Sequence, residues 1–327
     1  MKDERTAAAI DIGGTKTIVG LVDSSGDILA KQQFPTSTQE NPQIHIKKCV
    51  ERLRACLQAA DLKEDQISGV GISAPGLVAS EDGILLEAPY IGWKNVDFRK
   101  LLNNEWPSIK VRVENDVNAC ALGESLFGCG QDFRHFVWVT VSTGIGGALV
   151  INGDLYYGEH QIAGEIGHFI VEWVNGRRCG CGNSGCLEAH ASGTAIAHAA
   201  MQRVKREGDQ SPLARYFRDQ SLEITSENTA LAARHSVQAA HEIFQLAGES
   251  IGKAFSYVAN LLNPGAIIVG GGVTQSFDLL EPHITRVVRS AVIGDSNRSI
   301  PILKTDLGYE AAFLGAASLV FLKRNIS

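Results

Sequence analysis

The chain has 327 residues, 44% of them hydrophobic and 20% charged, the composition of a water-soluble globular protein long enough to bury a sizeable core. Thirty Lys and Arg stand against thirty-six Asp and Glu, a net charge of −6; this lacks the basic excess that phosphate-backbone binding needs and argues against nucleic acid as a main partner. The apolar stretch before Asp11 is too short for a secretion signal, and the odd count of seven cysteines suits reduced thiols, so an unprocessed cytoplasmic protein is expected.

Ala7 to Ile12 reads as a strand, Gly13-Gly14-Thr15-Lys16 as a turn, Thr17 to Val22 as a second strand, and Ile28 to Gln33 as a third beyond Ser24-Ser25-Gly26-Asp27. A helix is expected over Pro42 to Ala60, a buried strand over Gln66 to Ile72, and another over Lys110 to Val113, leading into Glu114-Asn115-Asp116. The opening grammar then returns: strand Phe136 to Val141, turn Ser142 to Gly147, strand Ala148 to Ile151, turn Asn152-Gly153-Asp154, strand Leu155 to Tyr157. Helices are expected over Gly193 to Arg206, Ala230 to Ala259 and Ala311 to Leu322, with a strand at Ala266 to Gly270; polar, weakly periodic Gly208 to Asn228 reads as a surface excursion. Ala254 to Val273 carries no charge, but Asn263-Pro264-Gly265 and Gly270 to Gly272 break it into helix, turn and strand rather than a membrane span. Strands mixed with longer helices predict an α/β chain with covered sheets. The repeated strand-glycine-strand unit predicts two similar lobes facing each other across a cleft, unless the two units are ordinary hairpins.

Glycines directly after an apolar strand let backbone amides approach a phosphate closely. Both units have this feature. Asp11 before Gly13-Gly14-Thr15 is placed to hold a hydrated Mg²⁺, and Ser142-Thr143-Gly144-Ile145-Gly146-Gly147 supplies hydroxyls and amides. The Gly-Lys-Ser/Thr ending of a P-loop is absent. Gly69-Val70-Gly71-Ile72-Ser73-Ala74 matches a dinucleotide fingerprint, yet Pro75-Gly76 follows where that motif must open a helix. Asp116 could take a proton from an alcohol or could cap a helix over Val117 to Phe127.

His168, Cys179, Cys181 and Cys186 offer four ligands of the types that bind tetrahedral zinc, with Gly180, Gly182 and Gly185 to fold the loop. Four protein ligands leave no open position, so the metal would be structural and would fix the loop carrying Glu165 and Glu188; buried or redox thiols are the alternatives. Cys49, Cys56, Cys120 and Cys129 read as ordinary reduced core residues. Carboxylates Asp116, Glu165 and Glu188 with Asn115 and His168 suit a neutral polyhydroxyl ligand, a sugar, whose hydroxyls each donate to an acceptor.

Taken together these motifs resemble the ROK family of sugar kinases over nearly the whole chain. Asp11 to Lys16 and Ser142 to Gly147 are similar to the family's two phosphate motifs, Glu114 to Ala119 to its sugar-binding and catalytic segment, Gly164 to His168 with Cys179 to Glu188 to its zinc signature, and Gly270-Gly271-Gly272 to its nucleotide-side glycines. The resemblance implies an actin-like ATPase (ribonuclease H-like) fold and a homodimer, with a small lobe over residues 1–117, a large lobe over 118–310 and the helix at about 311–327 packing back on the small one. It implies an ATP-dependent kinase acting on the 6-hydroxyl of glucose or a related hexose, or alternatively on N-acetylmannosamine or N-acetylglucosamine. A non-catalytic sugar sensor is the alternative of another class. Asp116 would be the base; Gly76, Asn115, Glu165, His168 and Glu188 would bind the sugar; and Asp11, Gly13, Gly14, Thr15, Lys16, Thr143, Gly144, Gly146, Gly270, Gly271 and Gly272 would bind Mg·ATP. Some members carry a winged helix ahead of the kinase-like body; with ten residues before Asp11, none is expected here. Tyr90 stands where many members have Asn, and Ala148 replaces a frequent third glycine. The retained Glu165 implies glucose or an N-acetylhexosamine with an equatorial 2-substituent.

Overall fold

The computed structural model describes residues 5–37 and 40–322. Its strands and helices in chain order are β1 (Thr6–Ile12), β2 (Lys16–Asp23), β3 (Ile28–Pro35), α1 (Pro42–Ala59), β4 (Ile67–Ala74), β5 (Leu77–Ala79), β6 (Ile84–Ala88), β7 (Trp93–Asp97), α2 (Phe98–Glu105), β8 (Val111–Asn115) and α3 (Asp116–Phe127). They continue as β9 (Phe136–Val141), β10 (Ile145–Ile151), β11 (Asp154–Tyr156), α4 (Leu187–Ala191), α5 (Gly193–Glu207), α6 (Pro212–Asp219), α7 (Ser226–Arg234) and α8 (Gln238–Leu262). The last are β12 (Ala266–Gly270), α9 (Phe277–Ala291), α10 (Asp295–Arg298), β13 (Ile302–Lys304) and α11 (Ala311–Phe321). The chain forms two compact units. One runs to Asp132 and resumes at Asp306; the other is Phe133–Thr305.

The first unit is built on a sheet of order β3-β2-β1-β4-β8, antiparallel on the β2–β3 side of β1 and parallel on the β4–β8 side. Strand β1 alternates by face. Ala8, Ile10 and Ile12 join a core with α1 residues Ile46, Val50 and Leu53, whereas Ala7 and Ala9 meet Phe313, Leu314 and Ala317 of α11. Alanines on the α11 face let that helix come close, and at Gly71 of β4 a Cβ would stand 1.7 Å from Ala316 O. The Gly69–Ala74 run is therefore strand, its glycine used for helix packing. The 117/118 boundary expected from sequence falls inside α3, which packs on α11 within the first unit; Gly123 and Gly315 allow that approach, a Cβ at Gly315 lying 1.8 Å from Ala119 O. The expected end of the last helix, residues 323–327, lies outside the described residues.

The second unit repeats the plan, in the order β11-β10-β9-β12-β13, with β9–β10–β11 antiparallel and β9, β12 and β13 parallel. Val137, Val139 and Val141 of β9 and Ile267 and Val269 of β12 face a helical layer centred on α8, which buries Phe244, Ile251 and Phe255. Three expectations are corrected here. Ala230 to Ala259 is two helices, because Ser236 takes a φ of +63° between α7 and α8. The Gly208–Asn228 excursion contains α6, whose Leu213 and Phe217 are buried. Strand β10 begins at Ile145, opposite Val141, so only Ser142 to Gly144 form the turn. The chain from Ala254 to Val273 is the end of α8, a left-handed Asn263, and β12; among the described residues no helix is long and apolar enough to cross a membrane.

Candidate active site

In the first unit the chain leaves β1 toward β2 and β3 on one side and later adds β4 and β8 on the other, which makes the carboxyl ends of β1 and β4 a topological switch point. Register aligns Asp11 with Ser73, Ser73 with Glu114 and Ala74 with Asn115 across the three parallel strands. Ser73 Oγ donates to Asp11 Oδ1 at 2.9 Å. Burial is the main cause that pushes the Asp11 carboxyl up to about 6, against the Ser73 bond, and Asp116 adds repulsion. A desolvated carboxylate so held is short of positive charge, and an oxygen ligand in this state fits a hydrated divalent cation.

Helix α3 starts at Asp116. Its cap is Asn115 rather than Asp116, because Asn115 Oδ1 accepts from the Val117 and Asn118 amides at 2.9 and 3.2 Å. The other end of the Asn115 amide donates to Gly76 O at 2.8 Å. Gly76 has a φ of +93°, and a Cβ there would meet Glu87 O at 2.2 Å, so glycine is required to turn that carbonyl toward Asn115. Asp116 Oδ1 accepts from the Val117 amide at 2.9 Å; its carboxyl is nonetheless pushed up to about 6, mainly by burial. Beneath it, buried Glu114 accepts from Ser80 Oγ, the Asn115 amide and Asn118 Nδ2 at 2.9–3.1 Å. Glu114 and Ser73 escaped the sequence reading as site-shaping residues; their strand-end positions beside Asp11 and Asn115 were the available signal. The Gly13 amide is spent on Lys16 O at 2.9 Å, which leaves Gly14, Thr15 and Lys16 exposed on the turn.

In the second unit the Ser142–Gly144 turn, closed by the Ser142 amide on Gly144 O at 2.8 Å, borders a cavity of about 320 Å³. Thr143 and Gly272 line it; Gly270 ends β12 and Gly271, at a φ of +90°, passes against Val141 O. Gly146 sits within β10, opposite Thr140. The N-termini of α5 and α7, capped by Ser192 and Thr225, also open on the cavity and bring Thr194 and Ser226 to its wall. Neutral hydroxyls and two helix N-termini suit a phosphorylated ligand. Thr194 and Ser226 had an available signal in the Ser-Gly and Thr-Ser cap pairs.

The same unit gathers His168, Cys179, Cys181 and Cys186, with their ligand atoms all within 4.8 Å of one another. Cys179 Sγ lies 3.8 Å from His168 Nδ1 and Cys181 Sγ lies 3.6 Å from Cys186 Sγ. Tetrahedral zinc with Zn–S bonds of about 2.3 Å separates its ligands by about 3.8 Å, so the donor set fits that ion. Burial, with the neighbouring thiols, pushes Cys186 up to about 12, while backbone amides draw the exposed Cys181 thiol down. His168 turns its Nε2 the other way, 3.7 Å from Glu165 Oε2. The segment is laid directly on β10: a Cβ at Gly167 would meet Ile145 O at 2.1 Å and one at Gly164 would meet Gly147 O at 2.4 Å. Glu188 completes the tie, its Oε2 accepting from the Ile145 amide at 3.0 Å and its Oε1 lying 3.8 Å from Cys179 Sγ.

Two five-stranded sheets of one design, each with a glycine turn after its first strand, define the actin-like ATPase fold with mixed α/β sheets. Residues 7–323 match the ROK family, and the chain belongs to it. The glucokinase of Halalkalibacterium halodurans is 31% identical over 322 residues, covering 98% of this chain and 97% of that one. A solved ROK family glucokinase from Streptomyces griseus, in complex with glucose and AMPPNP, is 32% identical with a TM-score of 0.76, covering 96% of this chain and 98% of that one. A solved ROK family transcriptional regulator, a homologue of the E. coli MLC protein, is 29% identical with a TM-score of 0.85, covering 96% of this chain and 77% of that one. The protein is a sugar kinase.

Proposed function

We propose that the protein transfers the γ-phosphoryl group of ATP to the 6-hydroxyl of glucose or a closely related hexose, with Asp116 as general base. The observation that carries this reading is the Asp116 carboxyl itself, set on the first turn of α3 beside Asn115 and raised by burial to about 6. A carboxylate of that basicity is ionised at neutral pH, yet accepts a proton more readily than an ordinary one as the alcohol attacks. Phosphoryl transfer needs little covalent help beyond this, only positioning and charge compensation. In the reading, Gly76, Asn115, Glu165, His168 and Glu188 bind the hexose. Gly13, Gly14, Thr15 and Lys16, with Thr143, Gly144, Gly146 and Gly270 to Gly272, bind the nucleotide. Mg²⁺, held through water by Asp11, would neutralise charge on the phosphates; zinc, held by His168, Cys179, Cys181 and Cys186, would fix the loop of Glu165 and Glu188. The glucokinase of Halalkalibacterium halodurans and the glucose and AMPPNP complex from Streptomyces griseus support this choice of acceptor and donor. A homodimer in the cytoplasm, with no nucleic-acid or membrane partner, completes the proposal.

The test is ADP release measured with glucose, mannose, fructose, N-acetylglucosamine and N-acetylmannosamine in turn. Glucose is expected to give the highest kcat/KM, and Asp116→Asn to lower kcat by roughly 10²- to 10⁴-fold at nearly unchanged hexose affinity. Preference for an N-acetylated sugar would replace the acceptor and keep the mechanism. Near-normal turnover by the Asp116 variant would remove the mechanism.

A further inference from the structure

His45, in the first turn of α1, is fully buried and takes no part in the chemistry above. Its Nε2 lies 2.9 Å from Thr17 Oγ1, which lies 2.8 Å from Thr36 Oγ1. Its Nδ1 lies 3.1 Å from Glu40 Oε2, and the other oxygen of Glu40 receives Lys48 Nζ. The Trp93 ring meets the imidazole edge-on at 5.2 Å, and its Nε1 donates to Glu40 O at 3.1 Å. An ionised carboxylate only accepts, so the imidazole proton belongs on Nδ1; Nε2 then accepts the Thr17 hydroxyl proton, and Thr17 Oγ1 accepts that of Thr36. Every polar atom in this chain of hydrogen bonds is paired. Burial, outweighing Glu40 and aided by Lys48 and Arg52, holds His45 below its ordinary value and keeps it neutral, as the arrangement needs.

Thr17 follows Lys16 directly, and the turn ahead of it is tied to the same group through Thr36, whose amide donates to Thr15 O at 3.0 Å, while the Gly13 amide closes the turn on Lys16 O at 2.9 Å. A buried hydroxyl held by two partners locks its rotamer and the strand residue that carries it. We propose that His45 is a positioning residue for the phosphoryl donor: acting through Thr17 and Thr36, it fixes the Gly13–Lys16 turn in the shape that receives the phosphates. This rests on the reading of that turn as part of the nucleotide site.

The experiment is steady-state kinetics on the full chain, with ATP varied at saturating hexose and hexose varied at saturating ATP. Thr17→Val, which keeps the shape and deletes the hydroxyl, is expected to raise the ATP KM by roughly tenfold, the scale of one lost hydrogen bond, with the hexose KM within about twofold. Thr17→Ser is expected to restore it. His45→Phe is expected to match Thr17→Val, and the double variant to be no worse than either alone, since the residues act as one unit. An unchanged ATP KM in folded Thr17→Val overturns the proposal. So do parallel rises in both KM values with no rescue by serine, because a general loss of structure would do the same. Gly14→Ala separates this from the underlying reading, since its added methyl meets nothing within 4 Å. If Gly14→Ala leaves the ATP KM unmoved, the turn is no phosphate cradle and both fall. If Gly14→Ala raises it and Thr17→Val does not, only the positioning role falls.

Discussion

Asp11 and Asp116 share one condition: burial lifts each carboxyl from an ordinary 3.8 to about 6. For catalysis, a base with that value is half protonated near pH 6, so kcat/KM is expected to fall about tenfold per pH unit below it. For stability the sign is the reverse of a salt-bridged carboxylate. The folded chain holds these protons up to about pH 6 and the unfolded chain releases them near 3.8, so stability is highest below the unfolded value and is lost as pH rises through about 6. Asp116→Asn removes the cost of that buried charge. In metal- and nucleotide-free protein it is expected to raise the melting temperature at pH 7.5, by an amount worth at most ~3 kcal/mol for two pKa units, and to leave it unchanged at pH 4. A melting temperature that drops at pH 7.5 would mean that the carboxylate stabilises the fold, and its assignment as a desolvated base would fail.

Helix α11 shows what decides element packing in the first unit. Its Gly315 backs onto the carbonyl of Ala119 in α3, where an added Cβ would lie 1.8 Å from oxygen, so the two helices touch backbone to backbone. Gly315→Val is expected to cost about 3 kcal/mol or more, seen as a lower urea midpoint with an unchanged slope, whereas Ser318→Ala on the same helix deletes only a hydroxyl bonded to its own Leu314 carbonyl. The strands β1, β2, β9 and β12 were legible as short apolar runs because both of their faces are buried, and helices α1, α5 and α11 because apolar positions recur along them for three or more turns. Residues 212–219 were not: α6 is only two turns long, too short for a helical period to stand out, and it buries Leu213, Ala214 and Phe217 on one face while Arg215, Arg218 and Asp219 stay exposed. The α7–α8 break was hidden because Ser236 adopts a left-handed φ without glycine. At the site, the glycine turns and the His-Cys set announced themselves by spacing. Thr17, His45, Ser73 and Glu114 did not, since their roles come from strand register and from partners distant in the chain.

Across the whole molecule the same five-stranded plan is used twice and equipped differently. The first unit spends its strand ends on carboxylates; the second carries the cysteine–histidine knot and lays it on β10 through Gly164, Gly167 and Glu188. Two backbones of one topology need no metal to form their sheets, so ion removal is expected to act locally rather than to unfold the chain. The segment from Gly164 to Ala191 has only short regular structure, a 3-10 turn at Ile166–His168, two isolated bridges and α4, and it gathers three thiols and an imidazole within 4.8 Å of one another. Purified protein is expected to hold about one zinc per chain by the four-ligand set. Chelation with dipicolinate should then raise amide hydrogen exchange in peptides spanning 164–191 by an order of magnitude or more, leave peptides of β1, β4 and α11 unchanged, and abolish hexose binding. Exchange that stays the same after the metal is gone would show that Ile170–Cys186 pairing and the Glu188–Ile145 bond hold the loop without it, and the knot would be a place where metal binds rather than the reason the loop has its shape.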